Sequence, residues 1–213
     1  SHVGKKKKSE LSQYVTFDKE IEGQEVRTII QNNIFGVDIN EEAIEITQLN
    51  LFLKLATSSK QLPDVSKNLR VGNALIDDKS VDPKAFDWKQ AFPEKFDIVI
   101  GNPPYLRVQG LRENFEENTS FIEEKFQSTT GRYDNYVLFL EKGSTLLKNG
   151  GFLGFILPHK FIRAEFGRGI RKILSEKKLI YSFLSFTHNF VFKDASTYTV
   201  IIILKNIINK KMY

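Results

Sequence analysis

The tetrapeptide Asn102-Pro103-Pro104-Tyr105 combines residue types that could hold a planar amino group. Two prolines fix their own backbone and remove two N–H donors, and the first of them biases Asn102 towards an extended conformation. The resulting stiff turn presents carbonyl oxygens, to which Asn102 adds a side-chain acceptor and Tyr105 an aromatic face. Such oxygens can accept both hydrogens of an exocyclic NH2 group. They can also stabilise the positive charge that develops when its nitrogen attacks a methyl sulfonium group.

The residues before the tetrapeptide predict that it lies at the exit of a buried strand. Residues 96–100 end in the apolar run Ile98-Val99-Ile100, which stops at Gly101. Ligands of α/β sheets bind at the carboxyl ends of the strands. A Pro-Pro turn beside a packed tyrosine could have a purely structural role. The position of this turn directly after a buried strand favours the catalytic interpretation.

The elements that must position this turn alternate between apolar strands and helically spaced segments, which predicts a parallel-rich α/β sheet with helices on both faces. Helix 40–56 should begin at the N-cap Asn40 and is apolar on nearly every side, so we expect it to be buried between layers. Residues 106–132 show no clear period and should form a loop or lid. The other predicted helices are 24–33, 133–148 (closed by Asn149-Gly150-Gly151) and 161–176, and the other strands are 34–37, 69–71, 152–157, 179–186 and 197–204.

Composition excludes several classes of protein. The 213-residue chain suits one domain, and with no cysteine it has neither disulfides nor cysteine-ligated metal sites. No apolar run is long enough to cross a bilayer, and no apolar stretch follows the N-terminal lysines as in a signal peptide. We therefore expect a cytoplasmic protein. Its histidines lack metal-ligand spacing and predict no metal site, and its net charge of +5 modestly favours a polyanionic partner.

Further stretches around the tetrapeptide occur in an order that resembles a known family. The chain resembles amino-methyltransferases that use S-adenosylmethionine, in particular the adenine-specific methyltransferase domains of type II G restriction–modification enzymes. The resemblance covers roughly residues 24–205. The stretches that carry it are residues 33–40, 71–76, 96–105, 146–152, 156–161 and 191–195.

The resemblance implies a Rossmann-like S-adenosylmethionine-dependent methyltransferase sheet and methyl transfer to the N6 amino group of adenine in double-stranded DNA. The base would be flipped out of the duplex. Asn102 and the carbonyl of Pro103 would hold the target amine, with Pro104 completing the rigid turn and Tyr105 stacking on the base. Phe192 would contact the base from another side. Alternatively, Phe192 would pack in the hydrophobic core.

The same resemblance implies four cofactor contacts. Asp38 would bind the ribose hydroxyls of S-adenosylmethionine, and Ile39 would pack on its adenine. Asn73 would hydrogen-bond the edge of that adenine, and Ala74 would supply a backbone contact. Alternatively, Asp38 and Asn73 would be turn residues without a cofactor contact, and Ile39 would pack in the hydrophobic core.

The chain departs from the family at its N-terminus. The family has a glycine-rich cofactor turn, preceded by Asp-Pro, after the first and central strand of its sheet. The early glycines Gly4 and Gly23 follow no apolar strand. We therefore expect residues 24–213 to be a partial catalytic domain that lacks this first strand and binds cofactor weakly. Residues 1–23 would be a tail or cloning remnant, in which residues 14–17 could supply a replacement strand. The full enzyme would add nuclease and target-recognition domains.

Other substrates and roles stay open at this point. Cytosine, an RNA base and a protein glutamine carry the same planar NH2 group, and the chain could also be a non-catalytic remnant. Four basic residues interleaved with aromatic ones in the segment 106–132 could contact a DNA backbone or form a solvated lid; they are Arg107, Arg112, Lys125 and Arg132.

Overall fold

A computed structural model of the chain describes residues 23–56, 65–105, 116–186 and 199–207. The chain divides into two compact units between Gly72 and Asn73. Within the described residues, no helix combines the length and apolarity that a membrane span needs. The predicted alternation of strands and helices is confirmed.

The described residues of the first unit form two helices and a two-stranded parallel sheet. Helix α1 spans Gly23–Asn33, strand β1 Gly36–Asp38, helix α2 Glu41–Ala56 and strand β2 Leu69–Val71. As predicted, Asn40 caps α2, because its Oδ1 accepts a hydrogen bond from the N–H of Ala43 at 3.3 Å. The core of this unit consists of Ile30, Ile44, Val65 and Leu69.

Helix α2 is buried on one side only, so the expectation of burial all round was wrong. Its residues Ile46, Leu49 and Leu53 are 59%, 56% and 60% exposed. Among the described residues of this unit, α1 and two short strands pack against α2, and they cover the side that carries Ile44. Apolar residues on every side of a helix predict burial only where a second layer exists.

The second unit contains a four-stranded mixed sheet in the order β3-β4-β6-β5. Strands β3 and β4 are parallel, whereas β6 is antiparallel to both of its neighbours. The fold class α/β is confirmed, but the second sheet is not parallel-rich as expected, because apolar content reports the burial of a strand and not its direction. The elements among the described residues of this unit are α3 (Trp88–Ala91), β3 (Phe96–Gly101), α4 (Glu116–Lys125), α5 (Asn135–Thr145), β4 (Leu147–Pro158), 3₁₀ turns His159–Ile162 and Glu165–Gly167, α6 (Arg168–Glu176), β5 (Ile180–Ser185) and β6 (Thr199–Lys205).

Alternation along the central strands separates the two faces of this sheet. One face packs with residues of α5 and α6 in the main hydrophobic core; its strand residues include Leu153, Phe155, Leu157, Val200, Ile202 and Leu204. On the other face, Ile98 and Ile100 of β3 are 67% and 80% exposed. An open apolar depression of about 600 Å³ lies on this face and includes Ile100, Gly154 and Ile203 in its lining.

Three predicted boundaries in this unit were wrong. First, residues 116–125 of the expected lid form helix α4, whose residues Phe121 and Ile122 pack against the main core. The apolar side of α4 is short and lies among many charged residues, so the sequence shows no detectable helical periodicity. Residues 106–115, with Arg107 and Arg112, lie outside the described residues.

The second wrong boundary lies between α5 and β4. The helix ends at Thr145, so Gly150 and Gly151 are part of β4 and do not close the helix. Gly150 has a φ of 81°, in the region that favours glycine. A Cβ at Gly151 would stand 3.0 Å from the backbone oxygens of Phe96 and Asp97. The glycine pair therefore accompanies the irregular register at the start of the β3–β4 pairing.

Third, the helix predicted over residues 161–176 is broken into two 3₁₀ turns followed by α6. The Nη1 of Arg171 donates hydrogen bonds to the carbonyl oxygens of Phe161 and Ala164, at 2.6 and 2.7 Å. These bonds satisfy backbone acceptors in the turns, which a pattern of apolar residues cannot reveal.

Candidate active site

The tetrapeptide 102–105 lies directly after β3, as the sequence predicted. Gly101 ends the strand beside the ring of Phe155, and a Cβ at Gly101 would stand 3.0 Å from that ring. Pro103 is buried, whereas Asn102 and Pro104 are exposed. The turn is therefore fixed to the protein through one proline while its amide side chain remains accessible to a ligand.

Tyr105 closes this turn on itself. Its hydroxyl donates a hydrogen bond to Oδ1 of Asn102 at 2.8 Å and lies 3.4 Å from the carbonyl oxygen of Ile156 in β4. The amide oxygen of Asn102 keeps a second lone pair, because a carbonyl oxygen has two. Tyr105 is 37% exposed, so its hydroxyl orients Asn102 while part of the residue remains open to solvent.

A cluster of aromatic rings around the buried Tyr136 packs against Tyr105. The rings of Tyr105 and Tyr136 meet edge to face, with centroids 6.4 Å apart. Tyr136 has no exposed surface and also contacts Phe161 and Phe166, with centroids 6.3 Å away in each case. The sequence showed Tyr136 only as one apolar position of a helix, so its contact with the site was missed.

Burial raises the pKa of the Tyr105 hydroxyl above its ordinary value. Burial raises the pKa of Tyr136 as well, and the charge of Asp134 adds to this effect. Both phenols therefore remain protonated at neutral pH and above. Tyr105 thus keeps the proton that it donates to Asn102 over the whole physiological range.

Two of the predicted cofactor residues belong to the first unit. Asp38 is the last residue of β1, and its exposed carboxylate accepts a hydrogen bond from the N–H of Asn40 through Oδ1, at 2.8 Å. The neighbouring Ile39 is 51% exposed. One oriented carboxylate beside one open apolar side chain fits a ribose diol and the face of a nucleobase.

The other two predicted cofactor residues, in the second unit, take part in a loop. Asn73 donates through Nδ2 to Asp82 at 2.8 Å and accepts through Oδ1 from the N–H of Leu75 at 3.1 Å. The carbonyl of Ala74 accepts from the indole N–H of Trp88 at 2.9 Å. These bonds establish the turn role of Asn73, and its cofactor role stays a prediction. Phe192 lies outside the described residues.

Comparison with solved structures defines the class of the fold. A protein from Listeria monocytogenes, assigned to class I of the S-adenosylmethionine-dependent methyltransferases, matches with a TM-score of 0.55 and 18% identity over 84% of this chain and 46% of its own. A nuclease-deletion mutant of the Type ISP restriction–modification enzyme LlaGI, in complex with a DNA substrate mimic, matches with a TM-score of 0.65 and 16% identity over 88% of this chain and 18% of its own. The chain therefore has the class I S-adenosylmethionine-dependent methyltransferase fold.

Sequence comparison identifies the family. The chain belongs to the Eco57I restriction-modification methylase family, whose model matches residues 32–192. It is 31% identical over 210 residues to the type II restriction enzyme and methyltransferase RM.Eco57I of Escherichia coli, with 92% of this chain covered. The chain spans 21% of the length of that relative. The family resemblance predicted from the ordered sequence stretches is thus confirmed.

Proposed function

We propose that this chain carries the catalytic part of an enzyme that methylates the N6 amino group of adenine in DNA. The proposal rests on the exposed Asn102 amide at the exit of β3, held by Tyr105 at 2.8 Å. This turn offers acceptor oxygens and an aromatic ring to a planar amine. The target adenine has to leave the base stack to reach such a turn.

The turn accounts for the chemistry of nitrogen methylation. Oδ1 of Asn102 and the carbonyl of Pro103 accept the two hydrogens of the target NH2 group, which directs its lone pair away from the ring. S-adenosylmethionine, when bound, supplies an electrophilic methyl group. The nitrogen would become positive as it bonds to the methyl carbon and the bond from that carbon to sulfur breaks, with the neutral thioether S-adenosylhomocysteine as the leaving group. The two oxygens would stabilise the charge on the nitrogen without having to reorient. The nitrogen then loses one proton to solvent.

Cofactor binding is assigned to residues that fit parts of S-adenosylmethionine. Asp38 binds the ribose hydroxyls through its carboxylate, and Ile39 packs on the adenine ring. Asn73 contacts the adenine edge through a second hydrogen bond of its side-chain amide. Each amide atom can form two hydrogen bonds and uses one of them within the loop. Ala74 contributes its backbone.

DNA adenine is preferred over the other planar amines for two reasons. The catalytic turn lies within the region that matches a restriction-modification methylase family, which favours DNA, and its sequence resembles the adenine-specific domains, which favours adenine over cytosine. The net charge of +5 favours a nucleic acid over protein glutamine. Cytosine, RNA and protein glutamine remain the competing substrates. Nuclease and target-recognition parts are proposed partners in the whole enzyme, since RM.Eco57I is described as both a restriction enzyme and a methyltransferase.

The function is tested by following the methyl group. The intact protein is incubated with S-adenosylmethionine labelled in its methyl group and with duplex DNA, RNA or a mixture of proteins. We expect label in DNA, and mass spectrometry of the hydrolysed nucleosides should place it on N6-methyladenine. Label confined to cytosine, RNA or protein would contradict the proposal.

Tyr105→Phe tests the hydroxyl without removing the ring. The change deletes the hydrogen bond to Asn102 but keeps the aromatic face, so we expect turnover to fall about 3- to 10-fold, as loss of one hydrogen bond of about 1 kcal/mol predicts. Steady-state kinetics on duplex DNA should show little change in KM. Tyr181→Phe provides a control, because Tyr181 is an exposed tyrosine of β5. Equal turnover in the wild type and Tyr105→Phe would show that the hydroxyl does not orient Asn102 for catalysis.

A further inference from the structure

The net positive charge of the chain is concentrated in one segment, residues 159–178, which follows β4. This segment has seven basic residues against Glu165 and Glu176, a formal net charge of +5. The whole chain has the same net charge, +5, so the 24 basic and 24 acidic residues outside the segment cancel. The seven basic residues are Lys160, Arg163, Arg168, Arg171, Lys172, Lys177 and Lys178.

The fold places the start of this segment beside the catalytic turn. Strands β3 and β4 are parallel, so both end at the same edge of the sheet. Tyr136 contacts the ring of Tyr105 on one side and the ring of Phe161 on another. Phe161 is only 3% exposed and fixes the first 3₁₀ turn to the core. One aromatic ring thus separates Tyr105 from the residue next to Lys160.

The basic residues of the segment have different tasks. Arg171 holds the turns through the carbonyls of Phe161 and Ala164. Two other basic residues have acidic neighbours, in the exposed pairs Arg168–Glu165 at 3.1 Å and Lys172–Glu176 at 3.9 Å.

Lys160 and Arg163 are exposed, and neither forms an ion pair with a described residue. They lie at the end of the segment that adjoins the catalytic turn, whereas Lys177 lies beyond the far end of α6. That helix has nine residues and is therefore roughly 14 Å long. Among the described basic residues of this segment, Lys160 and Arg163 are thus the ones that are both available and at the end that adjoins the catalytic turn.

We infer that Lys160 and Arg163 bind backbone phosphates of the DNA strand that carries the target adenine. Phosphate contacts fix the register of a protein on DNA without reading its sequence, and a flipped nucleotide needs its backbone held on the protein side. This inference rests on the proposed function, because it assumes that the polyanion next to Tyr105 is DNA.

The test compares two double variants of the intact protein that lose the same charge. Lys160→Gln/Arg163→Gln removes the proposed phosphate contacts, and Lys89→Gln/Lys95→Gln removes two exposed lysines elsewhere in the second unit. Binding to a fluorescently labelled DNA duplex is followed by anisotropy across a range of potassium chloride concentrations. Because each phosphate contact adds about 0.9 to the slope of log K against log salt, the first variant should lose about 2 from that slope. The control should keep the wild-type slope.

A charge-conserving variant and a parallel assay make the outcome decisive. Lys160→Arg/Arg163→Lys should keep the wild-type slope, because the phosphate contacts remain possible. The inference is overturned if Lys160→Gln/Arg163→Gln keeps the wild-type slope, or if both Gln double variants lower the slope by the same amount. It is also overturned if the wild type does not bind the duplex. Methyl transfer to DNA is measured with the same preparations. Transfer by the wild type with an unchanged slope in the variant would reject the phosphate contacts alone, whereas no transfer to DNA would reject the proposed function.

Discussion

Asn102→Ala is expected to lower the turnover of methyl transfer by about 100- to 1,000-fold, the loss that follows removal of one preorganised group that stabilises transition-state charge. The variant keeps the backbone carbonyl of Pro103 but loses the side-chain oxygen that accepts from the target amine. It also leaves the hydroxyl of Tyr105 without its 2.8 Å partner. Because Asn102 is exposed, alanine there should not disturb packing.

The matched control for this prediction is Asn50→Ala, which truncates an exposed asparagine of α2. Both variants are made in the intact enzyme, where single-turnover kinetics measure the chemical step and calorimetry with S-adenosylmethionine measures cofactor binding. Cofactor affinity and melting temperature should match the wild type in both variants. Normal turnover in Asn102→Ala would exclude the proposed mechanism, and a parallel loss of cofactor affinity would indicate that Asn102 supports the fold and not the reaction.

Features that depend on a few neighbouring residues could be predicted from the sequence. The strand before the catalytic turn was predicted as residues 96–100 and is observed as Phe96–Gly101. The cap of α2 was predicted from Asn40 alone. Both features follow from local chemistry, since proline ends a strand and a side-chain oxygen satisfies a free N–H at the start of a helix.

Features that depend on distant contacts could not be predicted. Gly150 and Gly151 look like the end of a helix, but their conformation follows from pairing with β3, about 50 residues earlier in the sequence. The break between Phe161 and α6 depends on Arg171, which bonds to carbonyls seven and ten residues away. In both places tertiary contacts decide between structures that the local sequence permits equally.

The candidate site divides in the same way. The sequence was sufficient to place Asn102 and Tyr105, because their residue types and order define the turn. Tyr136 could not be recognised, since it meets Tyr105 across 31 residues of sequence through the packing of α5. The basic segment 159–178 was accessible to sequence analysis, because counting charges segment by segment shows that it holds the whole net charge.

Gly167→Ala is expected to have the largest effect on stability of the substitutions proposed for this chain. A Cβ at Gly167 would clash with the carbonyl oxygen of Phe161 and would stand 2.7 Å from Nη1 of Arg171. The carbonyl oxygen of Phe161 is a backbone atom and cannot rotate away as the end of a side chain could. The 3₁₀ turns must therefore shift, and the hydrogen bonds of Arg171 must lengthen. Overpacking of this kind costs about 2–3 kcal/mol of unfolding free energy, which corresponds to a fall of roughly 5–10 °C in melting temperature for a chain of this size.

Gly154→Ala is the matched control, because no atom of a described residue other than the two chain neighbours of Gly154 lies within 4 Å of a Cβ at that position. Its melting temperature should equal or slightly exceed that of the wild type, since alanine loses less backbone freedom on folding. Thermal melting followed by circular dichroism compares the variants. The moved turn should also displace Lys160 and Arg163, so Gly167→Ala below its melting temperature should bind DNA with a reduced salt dependence. A Gly167→Ala protein that melts with the wild type would contradict the close packing of Gly167 on Phe161, and with it the geometry that places both cations beside the catalytic turn.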